Sequence, residues 1–300
     1  AALPPVDAHR YPLSHCLLRH VLHRTGPERQ QALLDFYAPL PATHFDALEA
    51  DIGHTLQASG RSLQTCLQDL DRFNALTPET ENDAWYERPE AFTSMQLDAA
   101  LAGFSRRRLL QLRDQILSRT GPLRQVLEVG CGSGYLSAQL VDTLQDCHLT
   151  LLDRSAAAVA FVEAYHLVRG TGGRVSCGRA DLAALPADDG RFDLVIAAEV
   201  LEHAPDADAA AVELLRVLRP GGWLAVSLPI DLDIAMHPTV FASRDEILAF
   251  FARHGLQAGA LSTVRPDPRL DAIAKVFPDF VGCVNALFQK PADQPSTPAS

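Results

Sequence analysis

The stretch "QVLEVGCGSGYLSAQL", residues 125–140, decides the fold. A short apolar run carries one acid, Glu128, and meets glycines at 130, 132 and 134 before a helical pattern begins. A strand that passes through a glycine turn into a helix is the opening unit of a doubly wound sheet, which binds its ligand at the carboxyl edge of the strands. Glycines let the backbone turn tightly and lie against a ligand without Cβ atoms in the way. A dinucleotide fingerprint would need glycine at 135, where Tyr135 stands. It would also put a pyrophosphate on the helix N-terminus, and Glu128 would repel it. An acidic strand end suits a cationic ligand instead.

Working outward, short Val/Ile/Leu-rich runs alternate with helical patterns. The runs 148–153, 174–178, 192–200 and 223–230 read as strands, with helices over 134–145, 155–169 and 207–218. Near-continuous apolar strands between helices indicate a parallel sheet covered on both faces. Helix 243–255 opens with the capping pair Ser243 and Glu246 and closes at Gly255; two last strands follow near 256–264 and 281–289. The expected fold is therefore α/β, a doubly wound, mostly parallel, seven-stranded sheet. Upstream, 13–24, 28–40, 43–59 and 62–76 carry helical spacing. A looser stretch, 77–92, follows, and 94–119 reads as one long helix. The expected organisation is an all-α N-terminal cap over 1–118, a ligand-binding domain over 119–290 and a Pro/Ser-rich disordered tail over 291–300.

The 300 residues carry a formal net charge of −11, which argues against a nucleic-acid partner held on a broad basic surface. The one basic run, Arg106–Arg107–Arg108, reads as a solvated helix face. Six cysteines are scattered without a CxxC pair, and Cys131, Cys147 and Cys177 read as small buried hydrophobes. A reduced, cytoplasmic chain is expected. No apolar run of about 18 residues is long enough for a membrane span, and the N-terminus lacks a signal-peptide pattern. His15, His20 and His23 lie close in sequence, but no carboxylate or cysteine joins them at ligand spacing, so no metal is expected.

From about residue 122 to 290 the chain resembles the class I S-adenosylmethionine (SAM)-dependent methyltransferases. The resemblance rests on "VLEVGCGSG", "LLDRS", "RADLAALP", "FDLVIAAEVLEH" and "LRPGG", in that order. SAM carries an ammonium and a sulfonium, the cationic ligand that Glu128 suits. The resemblance implies that Glu128 and the backbone of Gly130, Cys131, Gly132 and Gly134 hold its methionine part. It implies that Asp153, followed by Arg154, takes the ribose diol, as a carboxylate accepting two hydrogen bonds can. Asp181 and Leu182 would flank the adenine, and Glu199 to His203 would line the floor beside the sulfonium. Ser155 is the better candidate to cap the helix after Asp153.

Methyl transfer needs positioning and desolvation, and a general base only for a protonated nucleophile. His203 and, in "DIAMHPTVF", His237 are the candidate bases. The helical cap suggests a lid over a small-molecule substrate, with Asn82, Trp85, Tyr86 and Phe92 in the covering segment. Trp85 and Tyr86 read equally as core anchors. "AAEV" (197–200) stands where amide- and base-methylating enzymes have Asn-Pro-Pro-Tyr, so base and glutamine methylation are less expected. The first reading is an O- or N-methyltransferase of secondary or quinone-type metabolism. A second, from resemblance to azetidine-2-carboxylate synthases of this fold, lets the deprotonated SAM α-amine attack its own Cγ and release methylthioadenosine, with Tyr135, Tyr86 or Tyr165 as the aromatic surface. A third is a SAM-binding regulator without catalysis.

Overall fold

The computed structural model describes residues 10, 12–24, 26–76, 84–101, 103–267, 269, 271 and 280–292. Asn82 and most of the expected tail, 293–300, lie outside them. Among these residues, six helices come first: α1 (Pro12–His23), α2 (Pro27–Tyr37), α3 (Ala42–Ser59), α4 (Leu63–Phe73), α5 (Pro89–Ala100) and α6 (Phe104–Arg119). Then follow β1 (Gln125–Val129), α7 (Tyr135–Thr143), β2 (His148–Asp153), α8 (Ala156–Val168), β3 (Val175–Arg179), β4 (Phe192–Ala198), α9 (Ala207–Val217), β5 (Leu218–Ile230), α10 (Arg244–Arg253), β6 (Gln257–Val264) and β7 (Gly282–Gln289).

The seven strands form one sheet in the order β3-β2-β1-β4-β5-β7-β6. The first five run parallel, and β7 enters antiparallel between β5 and β6. Reversal of order on either side of β1 puts the ends of β1 and β4 side by side, with Val129 paired to Ala197. That is the switch point where such sheets bind ligands. Alternation along β1 sends Val126 to one face and Leu127 and Val129 to the other. The first face is covered by α6 and α7 through Leu112, Ile116, Leu136 and Leu140. The second is covered by α9 and α10 through Ala210, Leu214, Ile247 and Phe251. Both faces are sealed, which explains the apolar strands of the sequence.

The expected single helix 94–119 is two helices. Leu101 is extended, and Gly103 starts the next helix from an extended conformation. The break lets α5 stay with the N-terminal helices while α6 turns onto the sheet. Leu97 of α5 packs in a cluster with Leu17, Tyr37, Ile52 and Leu70, whereas Leu112 and Ile116 of α6 sit in the sheet's own core. Trp85 and Phe92 are buried against Ala138 of α7 and Phe161 and Tyr165 of α8, and Trp85 stacks on Phe73 at 6.4 Å. Trp85 is a core anchor between the helical layer and the α/β layer.

The solvated face expected of Arg106–Arg108 is overturned. Arg108 is 9% exposed and its Nη1 donates to Ser227 Oγ at 3.2 Å. Arg107 pairs with Asp271 at 2.5 Å. Arg106 donates to Ala100 O at 2.9 Å. With no net apolar patterning to oppose it, a charge run looks solvated in sequence; here three separate elements supply its acceptors.

Candidate active site

The donor end is made mostly of backbone. Gly130, Gly132 and Gly134 take φ of +66°, +52° and +72°, conformations that L side chains avoid. A Cβ on Gly130 would run into Val200, and one on Gly134 into Val162. The turn is tied to β2: Gly130 N and Cys131 N both donate to Leu152 O, at 2.7 and 3.2 Å. Asp153 is the keystone of this end. Its Oδ2 accepts from Gly132 N at 3.0 Å and its Oδ1 from Ser155 N at 2.9 Å. Burial pushes the Asp153 carboxyl up, and the two backbone N–H groups pull it back. Ser155 does cap α8, accepting from Ala158 N at 3.2 Å, and its hydroxyl donates to Tyr86 O at 2.7 Å. That bond fastens the segment before α5 beside the turn. Met95 of α5 lies over Gly132, 3.3 Å from where a Cβ would stand.

Glu128 is 4% exposed, and burial pushes its carboxyl up to about 8, partly offset by hydrogen bonds from Ser137. Its Oε2 is buried with no hydrogen-bond partner among the described residues. A glycine cradle that Cβ atoms would fill, an acid able to face a diol and a buried acid lacking one partner fit a ligand with an ammonium and a ribose. Gly130, Gly132, Gly134, Glu128 and Asp153 would hold SAM, which supplies a sulfonium methyl when bound. Ala180 N donates to Asp153 O at 3.0 Å, so Asp181 follows directly on the strand end beside Asp153. Asp181 is exposed and Leu182 half-buried, and the Asp181 carboxylate accepts from Ala183 N at 2.8 Å. Arg154 is exposed, its carbonyl accepting from Arg179 Nε at 2.7 Å.

The acceptor end is made of side chains. β4 ends at Ala198, and Glu199 takes a left-handed φ of +58° while its N–H donates to Ser227 O at 2.8 Å. A non-glycine residue held there is strained, and such strain gathers at functional sites. Glu199 Oε1 accepts from Ser227 Oγ at 3.1 Å, with Arg108 Nη1 at 3.5 Å. Asn285 of β7 donates to Arg108 O at 2.7 Å. A 3-10 turn, Leu201–His203, then carries Glu202 inward. Glu202 is 1% exposed, and neither carboxylate oxygen has a hydrogen-bond partner among the described residues. Burial and the neighbouring Glu199 charge push its carboxyl well up. The loop after β5 brings His237 to the same place, fixed by Thr239 N donating to Glu202 O at 3.3 Å. The rings of His203 and His237 meet edge to face at 4.8 Å between centroids. His203 Nδ1 faces Met236 O and His237 Nδ1 faces Leu232 O, each at 3.0 Å.

The structure thus gathers His203, His237 and Glu199, and draws Tyr86 to the donor end by its backbone. Tyr135 follows Gly134 directly and opens α7, while Tyr165 lies in the cluster with Trp85 and Phe92. Tyr135 lines a cavity of about 300 Å³ with His44, Asp51, His54, Arg106 and Arg169. Tyr165 is fully buried, stacked on Phe161 at 5.9 Å with Arg169 over its ring. Sequence reasoning missed Glu202 as a group in its own right, Arg108, Ser227 and Asn285. The adjacency of Glu202 and His203 was the only local signal; the others come from distant elements. His20, set aside as a ligand, pairs with Asp71 at 2.9 Å.

A family profile described as a methyltransferase domain matches residues 127–226. The chain is 33% identical over 155 residues to trans-aconitate 2-methyltransferase of Deinococcus radiodurans, covering 51% of this chain and 57% of that one. It is 30% identical over 167 residues to phthiotriol/phenolphthiotriol dimycocerosates methyltransferase 1 of Mycobacterium ulcerans, covering 53% and 60%. It therefore spans little more than half the length of these curated relatives. Among solved structures, the [4+2]-cyclase SpnF superposes with a TM-score of 0.52 at 22% identity, over 61% of this chain and 81% of that one, a likeness of fold. No helix among the described residues is long and apolar enough to cross a membrane. Residues 127–226, which run from the first strand into the fifth, match a methyltransferase domain, and the sheet around them has the strand order of the class I methyltransferase fold.

Proposed function

We propose that the protein is a SAM-dependent methyltransferase acting on the oxygen or nitrogen of a small-molecule acceptor. The observation that carries this reading is Asp153, which holds the Gly132 N–H at the carboxyl edge of the sheet. A carboxylate in that position, backed by a glycine turn of left-handed residues, supports a ribose-bearing cation as ligand. The acceptor lies toward His203 and His237, where its proton is handled and where the Glu199–Arg108 pair adds fixed charge. The cap comprises α1 to α5 and the segment bonded to Ser155. It closes over the site and excludes water, which favours a small acceptor over an extended surface. The curated relatives are named as methyltransferases of trans-aconitate and of phthiotriol or phenolphthiotriol dimycocerosates, names compatible with that class. All six cysteines are free, in keeping with a reduced, cytoplasmic setting.

The experiment is mass spectrometry of the purified protein with SAM, alone and with a panel of small hydroxy acids, phenols and amines. S-adenosylhomocysteine formed only when an acceptor is present is the expected result. Methylthioadenosine and a cyclic amino acid formed from SAM alone would replace this reading by intramolecular cyclisation. SAM bound and never consumed across the panel would favour a regulator.

A further inference from the structure

We propose that Glu202, His203 and His237 form a binding site for a divalent first-row metal ion at the acceptor end of the site. Two imidazoles and one carboxylate on neighbouring positions are a donor set that suits Mn²⁺, Fe²⁺, Co²⁺ or Zn²⁺. One ligating atom from each residue lies within 4.8 Å of the other two. Bonds of about 2.0–2.2 Å to a shared ion would draw these atoms in by small side-chain rotations.

Two independent observations point to a cation. Glu202 is 1% exposed, and neither of its oxygens has a hydrogen-bond partner among the described residues. A buried carboxylate without a partner is costly unless a counter-charge is supplied. The nearby guanidinium of Arg108 is committed to Ser227 and Glu199. The second observation is the tethering of the two histidines. Each sets Nδ1 against a backbone carbonyl at 3.0 Å. Metal-bound histidines are oriented in this way, with one ring N–H given to a carbonyl so that the other nitrogen carries the lone pair toward the ion. The loops bearing the ligands are themselves joined, by Thr239 N to Glu202 O and by Thr239 Oγ1 to Ala204 O.

Three protein ligands leave open positions on the ion. Val200, two residues before Glu202, packs against Gly130 of the donor turn, so Glu202 and His203 stand on a segment next to the donor end. The ion's role rests on the methyltransferase reading: it would hold an acceptor with a hydroxyl beside a second oxygen and ease loss of that hydroxyl's proton to water. The imidazoles would then serve as ligands and not as the base.

The test is calorimetric titration of the chelator-treated protein with MnCl₂, with SAM titrated into the same samples. One Mn²⁺ per chain is expected. His203→Ala and His237→Ala should each weaken it by at least about tenfold, with SAM affinity kept. Glu202→Gln should abolish uptake while preserving the melting temperature of the metal-free protein, because the amide has the size of the carboxyl it replaces. A melting temperature that does not fall separates loss of a ligand from loss of the fold. Absence of stoichiometric Mn²⁺ or Zn²⁺ uptake at millimolar metal, or uptake unaltered in all three variants, overturns the site. Metal uptake without any SAM binding would instead overturn the methyltransferase reading and leave the metal site standing.

Discussion

The two ends of the site are built from different materials. The donor end, from Glu128 to Ser155, uses backbone N–H groups, left-handed glycines and the carboxyl groups of Glu128 and Asp153, all within one strand–turn–helix–strand unit. The acceptor end uses side chains from β4's exit, α6, the loop after β5 and β7, with Asn285 and Arg108 separated by 177 residues. A site made of backbone is specified by conformation, so its sequence must carry glycines at set places. A site made of side chains is specified by topology, and any stretch of its sequence looks ordinary.

The largest break in that contrast comes from the glycines. Gly134→Ala should cost about 3 kcal/mol or more, combining a left-handed alanine with overpacking against Val162, read from denaturant melts. Gly130→Ala should fail likewise, and adding Val200→Ala should recover part of the loss by removing the clash but not the strained φ. Full recovery would mean that space, not conformation, rules the turn. Next, Asp153→Ala should weaken SAM binding by roughly a hundredfold, the loss of charged hydrogen-bond acceptors. Unchanged affinity by calorimetry would remove Asp153 from the donor end.

At the other end the effect falls on turnover and not on binding. Arg108→Met should lower turnover by about tenfold or more while SAM affinity stays, because it frees Glu199 without touching the turn. A fall in SAM affinity to the same degree would merge the two ends into one unit. The smallest effect is in pH dependence. Glu128 is pushed up to about 8 in the folded protein, above its ordinary 4.5. The folded state therefore holds a proton that the unfolded chain releases, and the stability this adds below about pH 4.5 drains away as pH rises toward 8. Glu128→Gln should flatten the decline of melting temperature across that window.

The same contrast governs what could be read from the chain. The sheet, its winding and the turn were open to reading because apolar periodicity and three alternate glycines are local signals. Ser155 as the cap of α8 was also open, because capping is decided within four residues. The helix break at Leu101–Gly103 was not, since α5 and α6 both keep apolar spacing and only their packing on different layers parts them. Nor was the fate of Arg106–Arg108, whose acceptors are Ala100, Asp271 and Ser227. A lone carboxylate such as Glu202 reads as exposed until the fold buries it.

The late strand has one more consequence. β7 enters the sheet between β5 and β6 and brings Asn285 under Arg108. During synthesis, the unit from β1 to β4 leaves the ribosome well before residues 282–289 exist. The nascent chain can close its glycine turn early, on contacts short in sequence, and must wait for its last strand before α6 and Glu199 are fixed. Ribosome-stalled chains ending after β5 would then take up the nucleoside before they gain any power to turn it over.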